Sequence, residues 1–428
     1  MNHLFRGKRI DQSELPKALD LLESTIEKDL LLPPLDCEIV ISAMECLLKE
    51  SHLHAYDQEL IASGIPTWKT HQFMEAILAS THQEALRTKI QRELGEEINL
   101  WSEIEEGVFE RRIPLGVLLH IGAGNVIALS ALSVLEGLIS GNINILKLPS
   151  YEGGISLRLL EDLVRIEPRL APYIYVFDIS SKETKILTFL GNIADAAVVW
   201  GSDEAIMGIR KIAPPTLKII EWGHKLSFAY FAVMNKYDEF IYHLAEEICK
   251  SDQQFCSSPQ CIFLETDSEQ ALHDFGQKLI HSLKQASNKF PASTRSIHEQ
   301  AEITWTKEMV KMNSLHDGQY LFEDDSKDYS VLIDPKAKLR TSPLFRNIWL
   351  MPIERKNMMS IIRPHYGHLQ TVGLACEMKD LEELSELFYK AGVNRVTSIS
   401  NMSTTYIGEP HDGKPTLLQY TRKVSRRM

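Results

Sequence analysis

The sequence predicts an α/β protein: a doubly wound parallel sheet, followed by a second region in which strands and helices alternate. Three observations carry this reading. Short apolar runs ending in glycine or proline, such as Leu115–Ile121 before Gly122 and Ile143–Leu148 before Pro149, alternate with stretches of helical spacing. Strand, glycine turn, helix and strand follow one another within about forty residues after Ile113, which is a βαβ unit. The same alternation resumes after Gln260. A chain of 428 residues, 44% hydrophobic and 24% charged, has the composition of a globular protein of two or three domains.

In chain order, residues 12–97 read as helices. Leu15, Leu19, Leu22, Ile26 and Leu30 lie near helical spacing over Gln12–Leu31, and Pro33-Pro34 ends that helix. Ile39–Leu53 and Phe73–Leu94 repeat the pattern. Glu97–Arg112 mixes apolar residues with glutamates and reads either as a protruding hairpin or as one more amphipathic helix. From Ile113 onward the strands are Leu115–Ile121, Ile143–Ser150, Tyr173–Asp178, Ala196–Trp200 and Leu217–Glu221. The helices between them are Ala128–Ile139, Ser181–Leu190 and Glu204–Ile212, giving the outline of a nucleotide-binding sheet. The second region places strands at Gln260–Glu265, Tyr329–Ile333, Ile348–Pro352, Leu369–Ala375 and Arg395–Ser398. Its helices are Glu269–Ala286 and Leu381–Ala391, and the polar stretch His316–Asp328 reads as a surface loop.

A formal charge of -12 argues against general nucleic-acid binding. No run of about 18 apolar residues predicts a membrane span, and the N-terminus lacks the apolar core of a secretory signal. The six cysteines are sparse and form no C-x-x-C, so neither a disulfide framework nor a metal site is expected. The expectation is a reduced cytoplasmic protein with no metal.

Asp252–Gln260, D-Q-Q-F-C-S-S-P-Q, holds the candidate nucleophile. Cys256 sits among amides and hydroxyls, and a thiolate attacks acyl groups readily. The competing reading is an inert buried thiol. Asn125, just after a strand, is either a side-chain donor to a developing oxyanion or a helix N-cap. Lys147 ends a strand, where such sheets bind ligands, and reads either as a ribose or phosphate contact or as a surface lysine. Gly201-Ser202 opens a helix and either holds a pyrophosphate or simply caps. Glu221 is either a base of raised pKa at an apolar strand end or the partner of a lysine or arginine. His365 and His368 read as structural or substrate-lining, and Glu409-Pro-His411-Asp412-Gly413 as a polar turn.

Taken together over residues 95–425, these segments resemble the aldehyde dehydrogenase superfamily, and within it the bioluminescence-type long-chain acyl-CoA reductases. Asn125 stands where that superfamily keeps an oxyanion-hole asparagine. Ile145-Leu-Lys147-Leu-Pro149-Ser150 is similar to its lysine-proline cofactor strand, and Trp200-Gly201-Ser202 to its glycine-serine helix opening. Ile220-Glu221-Trp-Gly223-His-Lys225 is similar to its glutamate-leucine-glycine-glycine-lysine segment, with Cys256 following Glu221 by 35 residues. Cys-Ser-Ser-Pro-Gln, Leu369-Gln-Thr-Val-Gly373 and the late Glu-Pro-His-Asp-Gly resemble the acyl-CoA reductase branch. Two departures stand out. His224 replaces the second glycine, and the family's glutamate-phenylalanine-glycine-proline ribose clamp is not evident, with Ser342-Pro-Leu-Phe345 as candidate replacement.

The resemblance implies an aldehyde dehydrogenase-like fold: a Rossmann-type cofactor domain, an α/β catalytic domain and a small oligomerisation element. Residues 1–96 would be the helical part of the cofactor domain and 97–112 an oligomerisation hairpin. Residues 113–222 would bind NADP, 223–400 would carry Cys256, and 401–428 would contribute to pairing in a homo-oligomer. It implies reduction of a long-chain fatty acyl thioester to the aldehyde through a cysteine-linked acyl-enzyme, with Cys256, Glu221 and Asn125 catalytic. Lys147, Ser150, Gly201, Ser202 and Gly223 would bind the cofactor. Ser150 stands where NAD-preferring relatives carry an acidic residue, which favours NADPH over NADH. The acyl group would come from coenzyme A or from a partner enzyme. The alternatives are an oxidative NAD(P)-dependent aldehyde dehydrogenase and a catalytically idle acyl-binding scaffold.

Overall fold

A computed structural model of the chain describes residues 2–50, 54–67, 70–95, 100–122, 127–149, 152–234, 237–324 and 326–428, without the side chains of Asn2, Gln72, Ala76 and Leu78. It divides into two units, Met1–Gly223 with Tyr406–Met428, and His224–Thr405.

The first unit begins with strands the helical reading missed. β1 (Asn2–Phe5) and β2 (Lys8–Asp11) form a hairpin through Arg6 and Gly7, both left-handed. Helices α1 (Leu15–Asp29), α2 (Cys37–Glu50) and α3 (Asp57–Ala62) follow. The single helix expected over Phe73–Leu94 is two, α4 (Thr70–Thr81) and α5 (Gln83–Leu94). His82 leaves the helical region, with ψ 158, and its ring accepts the Ala85 N–H at 3.3 Å, which caps α5 and breaks the run. Of the two readings of Glu97–Arg112, the hairpin holds for the described residues: β3 (Ser102–Glu105) and β4 (Val108–Pro114) turn at left-handed Gly107.

The nucleotide-binding outline then unfolds in order. It runs β5 (Val117–Ile121), α6 (Leu129–Ile139), β6 (Ile143–Lys147), α7 (Ile155–Ile166), β7 (Ile174–Phe177), α8 (Thr184–Ile193), β8 (Ala196–Trp200), α9 (Asp203–Ile212) and β9 (Lys218–Trp222). β5, β6 and β7 are buried at every position, the mark of parallel strands covered on both faces. The sheet order is β2-β1-β7-β6-β5-β8-β9, parallel from β7 to β9. Strand order reverses at β5, so the carboxyl ends of β5 and β8 flank a topological switch point.

The second unit contains β10 (Leu226–Phe231), α10 (Asp238–Ser251), β11 (Pro259–Glu265), α11 (Glu269–Lys289), α12 (Ile297–Asp317), β12 (Tyr320–Glu323), β13 (Ser330–Ile333), β14 (Asn347–Ile353), α13 (Met358–Ile362), β15 (Leu369–Ala375), α14 (Leu381–Ala391) and β16 (Arg395–Ser398). Its sheet order is β12-β13-β14-β11-β10-β15-β16, with β12 alone antiparallel. The expected loop His316–Asp328 is therefore corrected. It begins in the last turn of α12 and contains β12, because Tyr320 and Phe322 pack on the second unit's core. The chain then returns to the first unit with α15 (Thr416–Gln419) and β17 (Thr421–Arg427). The basic tail is thus a strand: β17 pairs antiparallel with β4 in a three-stranded sheet, β17-β4-β3.

Candidate active site

Cys256 lies in the second unit, on the loop between α10 and β11, with its side chain exposed. Two neighbouring cysteines provide the contrast. Cys249 on α10 and Cys261 on β11 are buried, and burial pushes their thiols up to about 11 and about 12 respectively. Of the three, Cys256 alone presents its sulfur to solvent.

The loop crosses the amino ends of the central strands. Ser227, second residue of β10, donates its hydroxyl to the Cys256 carbonyl at 2.7 Å and accepts the Thr371 N–H at 3.1 Å. Gln370, second residue of β15, donates from Nε2 to the Cys256 sulfur at 3.2 Å. Both supporting side chains are buried. Two polar residues inside mostly apolar parallel strands thus meet one loop, one holding its backbone and the other its sulfur.

The loop is held from beneath by an ion pair. Asp252 and Gln253 end α10 in the left-handed region, with φ 51 and 63. Leu344, Phe345 and Arg346 are left-handed as well, with φ 61, 48 and 68, and the Phe345 N–H donates to the Asp252 carbonyl at 2.9 Å. None is glycine, so each position carries steric strain. The Arg346 guanidinium, buried, donates to Asp252 Oδ1 at 2.5 Å, to Ser287 Oγ at 2.9 Å and to the Phe290 carbonyl at 2.7 Å. Asp252 Oδ2 accepts the Ser293 N–H at 2.9 Å. Gln253 Nε2 donates to the Pro259 carbonyl at 2.8 Å, and the Gln260 Oε1 accepts from Ser342 N–H at 3.1 Å. The Ser342–Phe345 stretch therefore braces the Cys256 loop.

The remaining candidates belong to the first unit, apart from Asn125 and Ser150, which lie outside the described residues. Lys147 ends β6 with its side chain buried. Burial lowers its pKa, and the field of Asp178 only partly offsets this. Among the described residues no side-chain hydrogen bond or ion pair holds its ammonium. Gly201 follows β8 at φ 156, and a Cβ there would press on Ala205 at 3.2 Å. Ser202 caps α9, accepting the Ala205 N–H at 3.4 Å. Gly223 follows β9, where a Cβ would press on Ile206 at 3.1 Å. An unpaired buried ammonium, and a helix N-terminus opening behind a left-handed glycine, are donors suited to sugar hydroxyls and phosphate oxygens.

Glu221 ends up on the α9 side of β9. Arg210 grips its carboxylate with a two-pronged fork, at 2.5 and 2.8 Å. The paired reading of Glu221 is thus the geometry present. His411 of the late polar turn packs on Trp200 and Trp222, the last residues of β8 and β9, with ring centroids 5.1 Å from each. In the second unit, His368 accepts the Leu226 N–H on its carbonyl at 2.6 Å, and His365 lies in a short 3-10 turn. Among the described residues no cluster of His, Cys, Asp and Glu is arranged to hold a metal.

Residues 42–423 match the family model described as acyl-CoA reductase (LuxC). The chain belongs to the acyl-CoA reductase (LuxC) family. A long-chain acyl-protein thioester reductase from Aliivibrio fischeri is 24% identical over 316 residues, covering 73% of this chain and 64% of that protein. The Vibrio harveyi protein of the same name is 23% identical over 321 residues, covering 74% and 65%. The match thus takes in less than two thirds of either relative's length. Among solved structures, an NAD-dependent benzaldehyde dehydrogenase from Corynebacterium glutamicum superposes with a TM-score of 0.73 at 14% identity, covering 100% of this chain and 98% of that one. Aldehyde dehydrogenase 21 from Physcomitrella patens, in complex with succinate, gives 0.74 at 16%, with the same coverage. At such identity these establish the aldehyde dehydrogenase fold for this member of the acyl-CoA reductase family.

Sequence reasoning missed Gln370, Ser227 and the Asp252–Arg346 pair as supports of the loop. A glutamine as second residue of the largely apolar Leu369–Ala375 was the available signal for the first. Nothing local marks Arg346, 94 residues from Asp252.

Proposed function

We propose that this protein reduces a long-chain fatty acyl thioester to the aldehyde with NADPH, through an acyl group held on Cys256. One observation carries the reading: an exposed thiol on a braced loop, with a side-chain N–H aimed at its sulfur. The Cys256 sulfur bonds to the acyl carbon while the carbon–sulfur bond to the carrier breaks, and the carrier thiolate leaves and takes up a proton. Backbone amides near Cys256 and the Asn125 amide stabilise the oxyanion, and losing one such donor costs about 100–1000-fold in rate. When bound, the reduced nicotinamide supplies a hydride, two electrons, to the acyl carbon. The Cys256 carbon–sulfur bond then breaks, freeing aldehyde and returning the thiolate. Glu221 lends a proton to the oxygen of the tetrahedral thiohemiacetal and takes it back as the carbon–sulfur bond breaks, so no net proton is consumed; this requires the Arg210 fork to open.

Lys147, Gly201, Ser202 and Gly223 hold the dinucleotide, and Ser150 spares a 2′-phosphate the repulsion of an acidic side chain. The names of the curated relatives favour a protein-borne acyl donor over coenzyme A.

Mass spectrometry after incubation with an acyl thioester and no cofactor tests this. Wild type gains one acyl mass on the peptide containing Cys256, and NADPH discharges it as aldehyde faster than NADH. Cys256→Ser does neither. A wild type that stays unacylated, or a Cys256→Ser variant with normal turnover, removes the thiol from the mechanism.

A further inference from the structure

We infer that Gln370 is built into the fold to hold the Cys256 sulfur as a thiolate, through a β-bulge that aims its side chain at that atom. The inference rests on the covalent reading above and adds a residue to it. The aim is visible in the strand register. Leu226 of β10 pairs with Leu369 of β15, and Phe228 pairs with Val372. Two residues, Gln370 and Thr371, therefore lie opposite the single residue Ser227. On the other side of β10, Ser227 pairs with Pro259 and Phe228 with Cys261, so Gln260 is the extra residue there. Both neighbours of one strand thus carry an insertion at the same level, although bulges are rare in parallel pairs.

Side chains alternate faces along a strand, and an inserted residue resets that alternation. At the β15 insertion Gln370 Nε2 reaches the Cys256 sulfur at 3.2 Å. At the β11 insertion Gln260 Oε1 accepts both the N–H and the hydroxyl of Ser342, at 3.1 and 3.2 Å, and so anchors the bracing stretch beneath the loop. Ser227, between them, ties the Cys256 carbonyl to the Thr371 N–H. The two glutamines have separate tasks, since one touches the sulfur and the other does not.

A neutral N–H donor aimed at sulfur favours the anion over the thiol. With a hydrogen bond to a charged group lost, the thiolate fraction at neutral pH falls about tenfold, which moves the ionisation midpoint up about one pH unit. Because Gln370 is uncharged, this needs no ion pair to form or break as the acyl group comes and goes.

The test needs no acyl substrate. The rate of alkylation by iodoacetamide is followed against pH, with peptide-resolved mass spectrometry to separate Cys256 from Cys46 and the other thiols. Gln370→Met moves the Cys256 midpoint up by about one unit and slows alkylation at pH 7 about tenfold. Gln370→Glu, of the same size but bearing a carboxylate, moves it up further. Gln370→Lys moves it to or below the wild-type value. Opposite signs for Glu and Lys are not what mere loosening of the loop produces. Midpoints unchanged in Met and Glu variants that melt like wild type overturn the inference. So does a downward shift in Gln370→Met, which means that the thiol donates to the amide oxygen. If wild type alkylates as expected yet is never acylated, the reductase reading fails and the assignment of Gln370 to the sulfur survives. Normal acylation with flat midpoints has the opposite meaning.

Discussion

Replacing Arg346 by methionine removes the guanidinium beneath the Cys256 loop while keeping an unbranched apolar stem. The variant leaves the Asp252 carboxylate buried without its counter-charge, and it takes donors from Ser287 Oγ and the Phe290 carbonyl. Breaking a buried pair from one side typically costs about 3–5 kcal/mol, most of it the uncompensated charge. Relief of local strain works against that cost. Five non-glycine residues of the two facing stretches, Asp252, Gln253, Leu344, Phe345 and Arg346, sit in the left-handed region at about 1 kcal/mol or more each, and the ion pair opposes their relaxation. At about 2–4 °C per kcal/mol for a unit of this size, the melting temperature falls by about 6–20 °C. Calorimetry or circular dichroism reads that shift, and a double variant, Asp252→Leu with Arg346→Met, recovers much of it because no lone charge remains. An Arg346→Met protein melting within about 2 °C of wild type, or a double variant less stable than either single one, refutes the view that this pair holds the loop.

Two further outcomes follow from single positions. Arg210→Met leaves the Glu221 carboxylate without its fork, so turnover changes while acylation of Cys256 does not; turnover and acylation both at wild-type level separate Glu221 from the reaction. The pH dependence of stability carries two opposed contributions in the first unit. Burial lowers His120 to about 4, so between that value and 6.5 the unfolded chain binds the extra proton and stability is lost as pH falls, by about 3 kcal/mol in all. Burial raises Glu152 to about 7, so from 4.5 upward the folded protein holds the extra proton and stability is lost as pH rises, again by about 3 kcal/mol. Urea unfolding across pH 4–8 therefore shows Glu152→Gln gaining on wild type as pH rises and His120→Asn gaining as it falls; parallel curves for both variants contradict these assignments.

The first unit's parallel sheet was legible because β5, β6 and β7 are mostly apolar and their turns are marked by Gly122, Gly141 and Pro149. The break at His82 was not, since a histidine ring serving as N-cap leaves the hydrophobic period on either side undisturbed. β12 was hidden by its flanks, where His316–Gly318 and Glu323–Asp328 read as loop while Tyr320 and Phe322 pack on the core. Polar neighbours mark Cys256 as a candidate in the sequence. The groups that hold it come from Ser227, Gln370 and Arg346, and only the tertiary fold brings those segments to one loop. His120 escaped for a related reason. It lies inside a mostly apolar strand, where burial keeps the ring neutral although the Asn144 Oδ1, 3.0 Å from Nε2, favours the charged form; Nδ1 lies 2.8 Å from the Ser133 hydroxyl.

The two sheets use opposite ends for their polar groups, and this explains where the sequence pattern bends. In the first unit Lys147, Gly201 and Gly223 follow the carboxyl ends of β6, β8 and β9, the ordinary position for ligand contacts in an open parallel sheet. In the second unit Cys256 lies at the amino ends of β10, β11 and β15, the end opposite to that ordinary position. A side chain inside a strand, that of Gln370, donates to the sulfur there. A buried glutamine or serine in a parallel sheet is costly unless its polar atoms are matched, and an unbroken alternation of faces would turn Gln370 away from the loop. The insertion opposite Ser227 meets the second requirement, bringing Gln370 Nε2 to the sulfur. Deleting Thr371, and with it the bulge, should therefore turn Gln370 from the sulfur and raise the Cys256 midpoint as Gln370→Met does, with the glutamine still present.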